Sequence, residues 1–428
     1  MRIVFYSTNS NVFDEETFKI TVMPSNESTF ESFCAAHPEH EFFCVSQKPA
    51  MFMPENAVCL PQNADLDEVV SAICELKPDL AIAMTFWIEP YDWLPVNDAL
   101  VAEKLEACGL HAVCHSVECA LNCFDKWRTH NMLARSGFKV PNAVFVDHDL
   151  YFCAGSNREV LRNVYKDSVM TQIKKMKLPL IIKDTTGLSS YGMTVVHTYG
   201  EAIGYLNSKR NNSNRLIEEF IEGQQYGLEI YGTPGNYTVL PPFTFSVNQY
   251  GITSPKQSVK YGPCPLPDEL RDMMLKLAEG LGLCGVAQVD LIMDDKGQWH
   301  IIEVNPRLSG MTYTYAAACG ISVFEMIYRS CVEKRPLPQP AAFVMSLKLP
   351  LMTENQMSEI LKLEGVRLLN QTNDLAAKQE REKGFCECII AAPEKSVLQK
   401  AVTRFEEYFP EDAIILQAKK DLGDYYGA

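Results

Sequence analysis

Residues 286–307 read VAQVDLIMDDKGQWHIIEVNPR, and this stretch decides the fold. Two alternating apolar runs flank Asp294-Asp295-Lys296-Gly297, a turn signal that joins antiparallel strands. With the turn as hairpin centre, Asp290 and Glu303 stand at nearly equal distances from it and fall opposite each other. Side chains repeat every two residues along a strand, so Glu303, Asn305 and Arg307 share that face as the chain leaves it. Two carboxylates directly opposite repel, at a cost of roughly 0.2–1 kcal/mol, unless a positive charge lies between them. A single acid is ordinarily a solvated side chain on an open face. A second acid at matching distance, followed by an amide and a guanidinium, points instead to a divalent cation. Hard oxygen ligands of this kind suit magnesium, which binds through one or two carboxylates and the phosphates of a nucleotide.

The chain has 428 residues, 47% hydrophobic and 22% charged, a globular composition of roughly two to four packed units. Its net charge of -15 argues against nucleic acid as a partner, because phosphate backbones require clustered Lys and Arg. No stretch approaches a membrane span, and MRIVFYSTNS at the amino terminus lacks a signal peptide's pattern, so a cytoplasmic location is expected. Fifteen cysteines, an odd number scattered without a secretory signal, read as reduced thiols. The densest group, Cys108, His111, Cys114, His115, Cys119 and Cys123, lacks the paired C-x2-C spacing of structural zinc sites and reads as packed thiols.

The expected class is α/β with α+β character. Residues 1–115 open with the apolar strand Arg2 to Tyr6, then a helix over Leu66 to Leu76 and a strand over Asp79 to Met84, which suggests a small parallel sheet. No G-x-G-x-x-G occurs there, so a dinucleotide site is unsupported. Glu118 to Ser136 is predicted as one helix stopping at Gly137, with Pro141 starting an extended piece. Strands are predicted at Leu178 to Asp184, Thr194 to Tyr199, Arg215 to Ile221 and Gly227 to Tyr231, and a helix at Asp268 to Gly280. Prolines 336, 338 and 340 mark a boundary, giving units of 1–115, 116–335 and 336–428, the middle one with a subdomain at about 141–217.

A second constellation lies in LPLIIKDTTGLSSYGMTVV, residues 178–196. An apolar strand ends in Lys183, and a loop with Gly187, Ser189, Ser190 and Gly192 leads into another strand. Glycine lets such a loop bring backbone N–H groups around phosphate oxygens, and Lys183 adds a matching positive charge. An ordinary hairpin turn fits this segment equally well. Gly187 and Gly192 have the P-loop separation, but Met193-Thr194 replaces the Lys-Ser/Thr pair. A protein kinase places its glycine loop before the lysine, and a serine hydrolase needs G-x-S-x-G, which is absent.

Taken in order, these segments resemble the ATP-grasp superfamily over roughly residues 115–330. DKWRTHNMLARSGFKVP, residues 125–141, is similar to the family's entry into its ATP-binding region, with Lys126 matching a phosphate lysine. Lys183 and residues 187–192 resemble the second phosphate lysine and the loop that closes over ATP. LIEEFIEGQQYGLEI, residues 216–230, resembles the interdomain strand that holds adenine: Glu218 matches the acid at the adenine amino group, and the backbones of Glu219 and Ile221 match the hinge contacts. Asp290, Glu303 and Asn305 match the magnesium ligands, and Arg307 matches the arginine after the Asn. Where many members grip the ribose with an acid, this chain has Gln225, an amide still able to hydrogen-bond, with Glu222 as a nearby substitute.

The resemblance implies an amino-terminal Rossmann-like pre-ATP-grasp domain, a lid subdomain, and a carboxy-terminal α/β extension. GFCECIIAAPEKSVLQKAV, residues 384–402, resembles the strand-then-helix tail of biotin-carboxylase-like and amino-acid-ligase-like members. It implies an ATP-dependent carboxylate–amine ligase that uses ATP with Mg2+, or Mn2+ in its place, activates a small amino-acid- or peptide-like acid as an acylphosphate, and releases ADP. Lys183 and Arg307 would serve catalysis, and a homodimer is the family's common assembly. The enzymatic alternative is a bicarbonate- or carbamate-activating enzyme of the biotin-carboxylase or carbamoyl-phosphate-synthase kind, although no A-M-K-M biotin-attachment sequence occurs. The alternative of another class is a silent ATP-binding regulatory protein, which the presence of Glu303 and Asn305 disfavours.

Overall fold

In the computed structural model, the described residues are 1–8, 30–47, 57–61, 63–84, 93–153, 162–186, 193–248, 252–254, 257–373 and 383–424. The opening apolar run forms β1 (Arg2–Tyr6), buried from Ile3 onward. It is followed by α1 (Phe30–Ala36), β2 (Glu41–Ser46), β3 (Ala57–Cys59), α2 (Leu66–Glu75), β4 (Leu80–Ala83), α3 (Leu94–Ala107) and β5 (His111–Val113). All five strands are parallel, in the order β3-β2-β1-β4-β5. Helix α2 starts where Asp65 and Glu68 form a reciprocal capping box, and it buries Val69, Val70 and Ile73 on the sheet.

The expected single helix over 118–136 is two helices, α4 (Val117–Phe124) and α5 (Lys126–Arg135). Asp125 breaks it: its backbone is extended, and its side chain accepts a hydrogen bond from the Arg128 N–H at 2.8 Å, capping α5. A smaller sheet follows with β6 (Ala143–Val146), α6 (His148–Phe152), α7 (Val164–Ile173), β7 (Leu180–Asp184), β8 (Thr194–Val196), α8 (Tyr199–Leu206) and β9 (Arg215–Glu219). Its strands are antiparallel in the order β6-β9-β7-β8. Strand β8 is shorter than expected because Thr198 caps α8 through the Glu201 N–H.

The remaining strands are β10 (Gly223–Thr233), β11 (Asn236–Val239), β12 (Phe243–Phe245) and β13 (Val259–Gly262), then α9 (Asp268–Leu281), β14 (Gly285–Asp294) and β15 (Trp299–Asn305). Next come α10 (Thr312–Cys319), α11 (Val323–Ile327), β16 (Phe343–Leu349), α12 (Glu354–Ile360), β17 (Val366–Asn373), β18 (Gly384–Ala392), α13 (Lys395–Tyr408) and α14 (Ala413–Asp424). They build one nine-stranded sheet, β15-β14-β10-β12-β13-β16-β18-β17, with β11 attached to β10. The segment after the prolines at 336–340 therefore extends the central sheet through the β13–β16 pairing. No helix among the described residues is long and apolar enough to cross a membrane.

The parallel sheet is joined to the large sheet by an aromatic cluster. Phe324 lies 5.3 Å from Phe5 and 4.9 Å from Phe30, ring centre to ring centre. His115, just beyond β5, adds a polar clasp: its Nε2 bonds the Val286 carbonyl at 2.8 Å and its Nδ1 the Cys284 N–H at 3.1 Å.

Strand β10 is the spine of the large sheet, pairing with β14 from Gly223 to Gly232. A Cβ on Gly223 would lie 2.2 Å from the Met293 carbonyl oxygen, so the two strands would have to part. Gly223→Ala should lower unfolding stability by on the order of 1–3 kcal/mol. Gly280→Ala, in α9 with nothing within 4 Å of the added carbon, should be neutral or stabilising by up to about 1 kcal/mol. Urea denaturation of both variants tests this, and equal midpoints would refute the close approach.

Candidate active site

The predicted hairpin is β14–β15, with Gly297 at φ +73° in the turn. Asp290 pairs directly with Glu303, and Gln288 with Asn305. A feature the sequence did not announce makes this possible. The register shifts between Asp290 and Leu291, so that Leu291 faces Ile301 while Asp290 faces Glu303. Ile302 is the extra residue of a β-bulge, which reverses the alternation. Ile301 thus stays in the apolar core with Leu291, and Glu303, two residues on, turns to the site.

A cleft of about 680 Å³ opens over this hairpin, between the large sheet and the four-stranded sheet. Its polar lining includes Lys183, Glu218, Glu219, Gln225, Asp290 and Glu303, and its apolar lining includes Ile181, Phe220, Ile221, Ile292 and Ile302. Of the residues singled out in the sequence, Ile221 also lies on this wall, whereas Glu222 is exposed and outside it. Lys126 meets the same acids from α5, with its Nζ 2.9 Å from Glu303 Oε1. Arg307 is buried just past β15, its Nη2 donating to Asn305 Oδ1 at 3.2 Å. Gly187, Ser189, Ser190 and Gly192 lie outside the described residues.

Electrostatics separates the two hairpin acids. Burial pushes the Asp290 carboxyl up to about 7, and the neighbouring Glu303 charge adds to the rise. Burial also acts to raise Glu303, but Lys126 and then Arg307 outweigh it and hold that carboxyl below its ordinary value. The positive charges around the pair thus favour Glu303 over Asp290. Among the described residues no three His, Cys, Asp or Glu side chains gather as a metal cluster. Two carboxylates and an amide form an incomplete oxygen set, which fits a hard divalent ion that takes its other ligands from phosphate and water.

Lys183 lies across the cleft, its Nζ donating to Glu218 Oε2 at 2.6 Å, and both residues are more than nine-tenths buried. His130 supports the same carboxylate at 3.1 Å. It lies four residues after Lys126 on α5, so helical spacing could have identified it. The Lys126 N–H donates to the Thr185 carbonyl at 2.7 Å, tying the start of α5 to the end of β7 and fixing both lysines. Glu219 accepts from the Lys177 N–H at 2.8 Å. Lys260, also missed in the sequence, is buried with its Nζ donating to the Gly310 carbonyl at 2.7 Å.

Residues 123–311 match the family model described as an ATP-grasp domain. The D-alanine–D-alanine ligase of Buchnera aphidicola is 28% identical over 220 residues, 48% of this chain and 67% of that one. A carbamoyl-phosphate synthase of Methanobrevibacter smithii is 28% identical over 163 residues, 37% of this chain and 43% of that one. Over the whole length the fold is similar to an ADP complex of N5-carboxyaminoimidazole ribonucleotide synthetase. The TM-score is 0.67 at 13% identity, covering 96% of this chain and 98% of that one. The L-amino acid ligase of Bacillus licheniformis gives a TM-score of 0.63 at 18% identity, covering 95% and 97%.

The Glu218 ion pair makes a test of pH dependence. Burial opposes the carboxylate's charge, but Lys183 and His130 outweigh it and bring the value down to about 2 from an ordinary 4.5. The native carboxyl thus binds its proton less tightly than the unfolded one, so its contribution is complete above about pH 4.5 and is lost as pH falls toward 2. Glu218→Gln should cost about 3 kcal/mol at pH 7, because Lys183 stays buried without its counter-charge, and should flatten the acid limb. Urea midpoints at pH 7 and pH 3 decide; identical acid sensitivity in both proteins would show that the pair contributes nothing.

Proposed function

We propose that this chain, which carries an ATP-grasp domain over residues 123–311, is an ATP-dependent ligase that activates a small carboxylic acid and joins it to an amine. The observation that carries the reading is the Asp290–Glu303 pair, held opposite one another at the floor of a cleft whose other walls supply Lys183 and Glu218. Adenine would lie against Ile181, Phe220 and Ile221, with its amino group toward Glu218 and the backbone of Glu219 and Ile221 as hinge. Gln225, which lines the same cleft, would bond the ribose. Lys126 and Lys183 would balance phosphate charge.

Asp290, Glu303 and Asn305 would hold magnesium, or manganese in its place, and the bound ion would neutralise charge on the phosphate oxygens. Phosphoryl transfer depends mainly on positioning and charge stabilisation. A carboxylate oxygen of the acid attacks the γ-phosphorus, an O–P bond forms, and the bridging P–O bond breaks to release ADP. The amine nitrogen then attacks the acyl carbon, the C–N bond forms, phosphate leaves, and the amine gives up its proton. Arg307 stabilises the charge on the transferring phosphoryl group and on the tetrahedral intermediate. Water is kept out by closure of the cleft, since it would hydrolyse the acylphosphate. No side-chain nucleophile is needed. Small-molecule acid and amine are the partners, a homodimer the assembly, and the cytoplasm the compartment of this reading.

The test is ADP and phosphate release from Mg-ATP with pools of small acids and amines. Acid-dependent release that an amine enhances is expected, reduced roughly 1,000-fold or more in Glu303→Ala. Release with bicarbonate alone would favour the bicarbonate-activating alternative. Tight ATP binding with no turnover in any pool would favour a regulatory protein, and AMP with pyrophosphate as products would sink the acylphosphate route.

A further inference from the structure

Helix α10 opens without a local clamp. Its first residue, Thr312, follows Arg307 by the short turn Leu308-Ser309-Gly310-Met311, and Met311 at the cap position gives it no side-chain hydrogen bond. Helix starts ordinarily lean on such a bond. Here the hold comes from β10, 80 and 83 residues earlier in the chain: Glu229 Oε1 accepts from the Ser309 hydroxyl at 2.9 Å and from the Thr312 hydroxyl at 2.6 Å. The main chain orients both hydroxyls. Ser309 Oγ accepts from the Met311 N–H at 3.0 Å, and Thr312 Oγ1 accepts from the Ser309 N–H at 2.9 Å. A hydroxyl can accept while it gives its single proton, so both protons go to Oε1. Lys260 holds the same turn from β13, donating to the Gly310 carbonyl at 2.7 Å. Arg307 stands at the start of the turn, its N–H on the Asn305 carbonyl at 2.9 Å and its Nη1 on the Leu308 carbonyl at 3.3 Å.

The bonding pattern fits either charge state of Glu229. Oε1 takes two donors and stays bare, while the other oxygen meets the Tyr231 hydroxyl at 2.6 Å. With the carboxyl ionised, Tyr231 donates to it. With a proton on the carboxyl, Glu229 donates to Tyr231, whose own proton turns to Met326 Sδ at 3.8 Å. Burial, and then the Glu229 charge, push the Tyr231 hydroxyl up, so it keeps its proton. Burial also lifts the Glu229 carboxyl to about 7, against the pull of Thr312, Tyr231, Ser309 and Lys260. Tyr315 and Cys319 of α10 feel the same charge. Rotation of one hydroxyl absorbs the change, and the two bonds to the turn persist.

We propose that Glu229 is a positioning residue of the ligase: its bonds to Ser309 and Thr312 fix the turn after Arg307 and thereby the guanidinium. It acts through hydrogen bonds and not through its charge. The inference rests on the ligase reading and names the residue that sets its arginine. Glu229 is fully buried and touches no substrate.

Variants of the full chain decide. Glu229→Gln presents an oxygen to Ser309 and Thr312 and an N–H to Tyr231, and should keep kcat for acid-dependent ADP release to within about fivefold, the worth of one hydrogen bond. Glu229→Leu should lower kcat roughly 100-fold, as displaced catalytic groups do, with the KM for ATP unchanged. Ser309→Ala combined with Thr312→Val should do the same and stands in where the leucine protein does not fold. A further readout needs no turnover. In protein made with isotopically labelled arginine, the Arg307 Nε–H resonance, assigned by its absence in Arg307→Lys, should stay in place in Glu229→Gln and move or broaden in the double variant. An unmoved resonance in a folded double variant overturns the inference. So does a kcat in Glu229→Gln as low as in the double variant, and in both cases acid-dependent ADP release by the unaltered protein leaves the ligase standing. If no acid releases ADP from the unaltered protein, the ligase reading fails, and the resonance alone decides whether Glu229 sets Arg307.

Discussion

Two carboxylates held face to face on a buried hairpin set the terms for everything around them. Like charges so placed cannot both ionise in a desolvated site without compensation. The fold supplies compensation from four side chains: Lys126 from the first turn of α5, Arg307 from the exit of β15, Lys260 from β13 and Lys183 from β7. Glu303 receives most of it and stays charged, while burial leaves Asp290 with a carboxyl raised to about 7.

The guanidinium depends on a buried polar device of its own. Glu229, fully buried on β10, accepts from the Ser309 hydroxyl at 2.9 Å and the Thr312 hydroxyl at 2.6 Å through one oxygen, and from the Tyr231 hydroxyl at 2.6 Å through the other. Burial lifts its carboxyl to about 7, and the three hydroxyl donors work against that rise. Together with the bond from Lys260 to Gly310, it pins the segment that follows Arg307. The angle at which the chain leaves β15 is therefore set by the spine of the sheet, not by the loop alone.

Much of this was legible in the sequence because it is local. Counting outward from the turn at Asp294–Gly297 pairs Asp290 with Glu303, and the spacing of two carries Asn305 and Arg307 along. The bulge at Ile302 was not legible, since nothing in the residue type marks an extra residue in a strand, yet it decides which way Glu303 points. Asp125 shows a second kind of limit: the same residue that fits the Asp-Lys pair is a helix cap, and an apolar pattern continuing through it concealed the break. Strand pairing between β13 and β16 joins residues some eighty positions apart, so the prolines at 336–340 read as a boundary where the sheet in fact continues. Glu229 and Lys260 carry no sequence signal of their place, because their burial depends on strands distant in the chain.

The four-stranded sheet and the parallel sheet are held to the large sheet by different means. The four-stranded sheet has an apolar core of its own, drawn wholly from residues 144–217. Among its links to the rest of the site are polar contacts, the Lys126 N–H on Thr185 and His130 on Glu218. Polar bonds of this kind are worth about 1 kcal/mol each, more where a charge is involved. The parallel sheet, by contrast, shares one apolar core with the large sheet, in which Phe5, Phe30 and Phe42 pack with Tyr315, Phe324 and Val344. Parting those walls would expose aromatic surface at about 25 cal/mol per Å². The four-stranded sheet is thus joined to the site through polar contacts, whereas the parallel sheet is fixed to the large sheet by shared apolar packing.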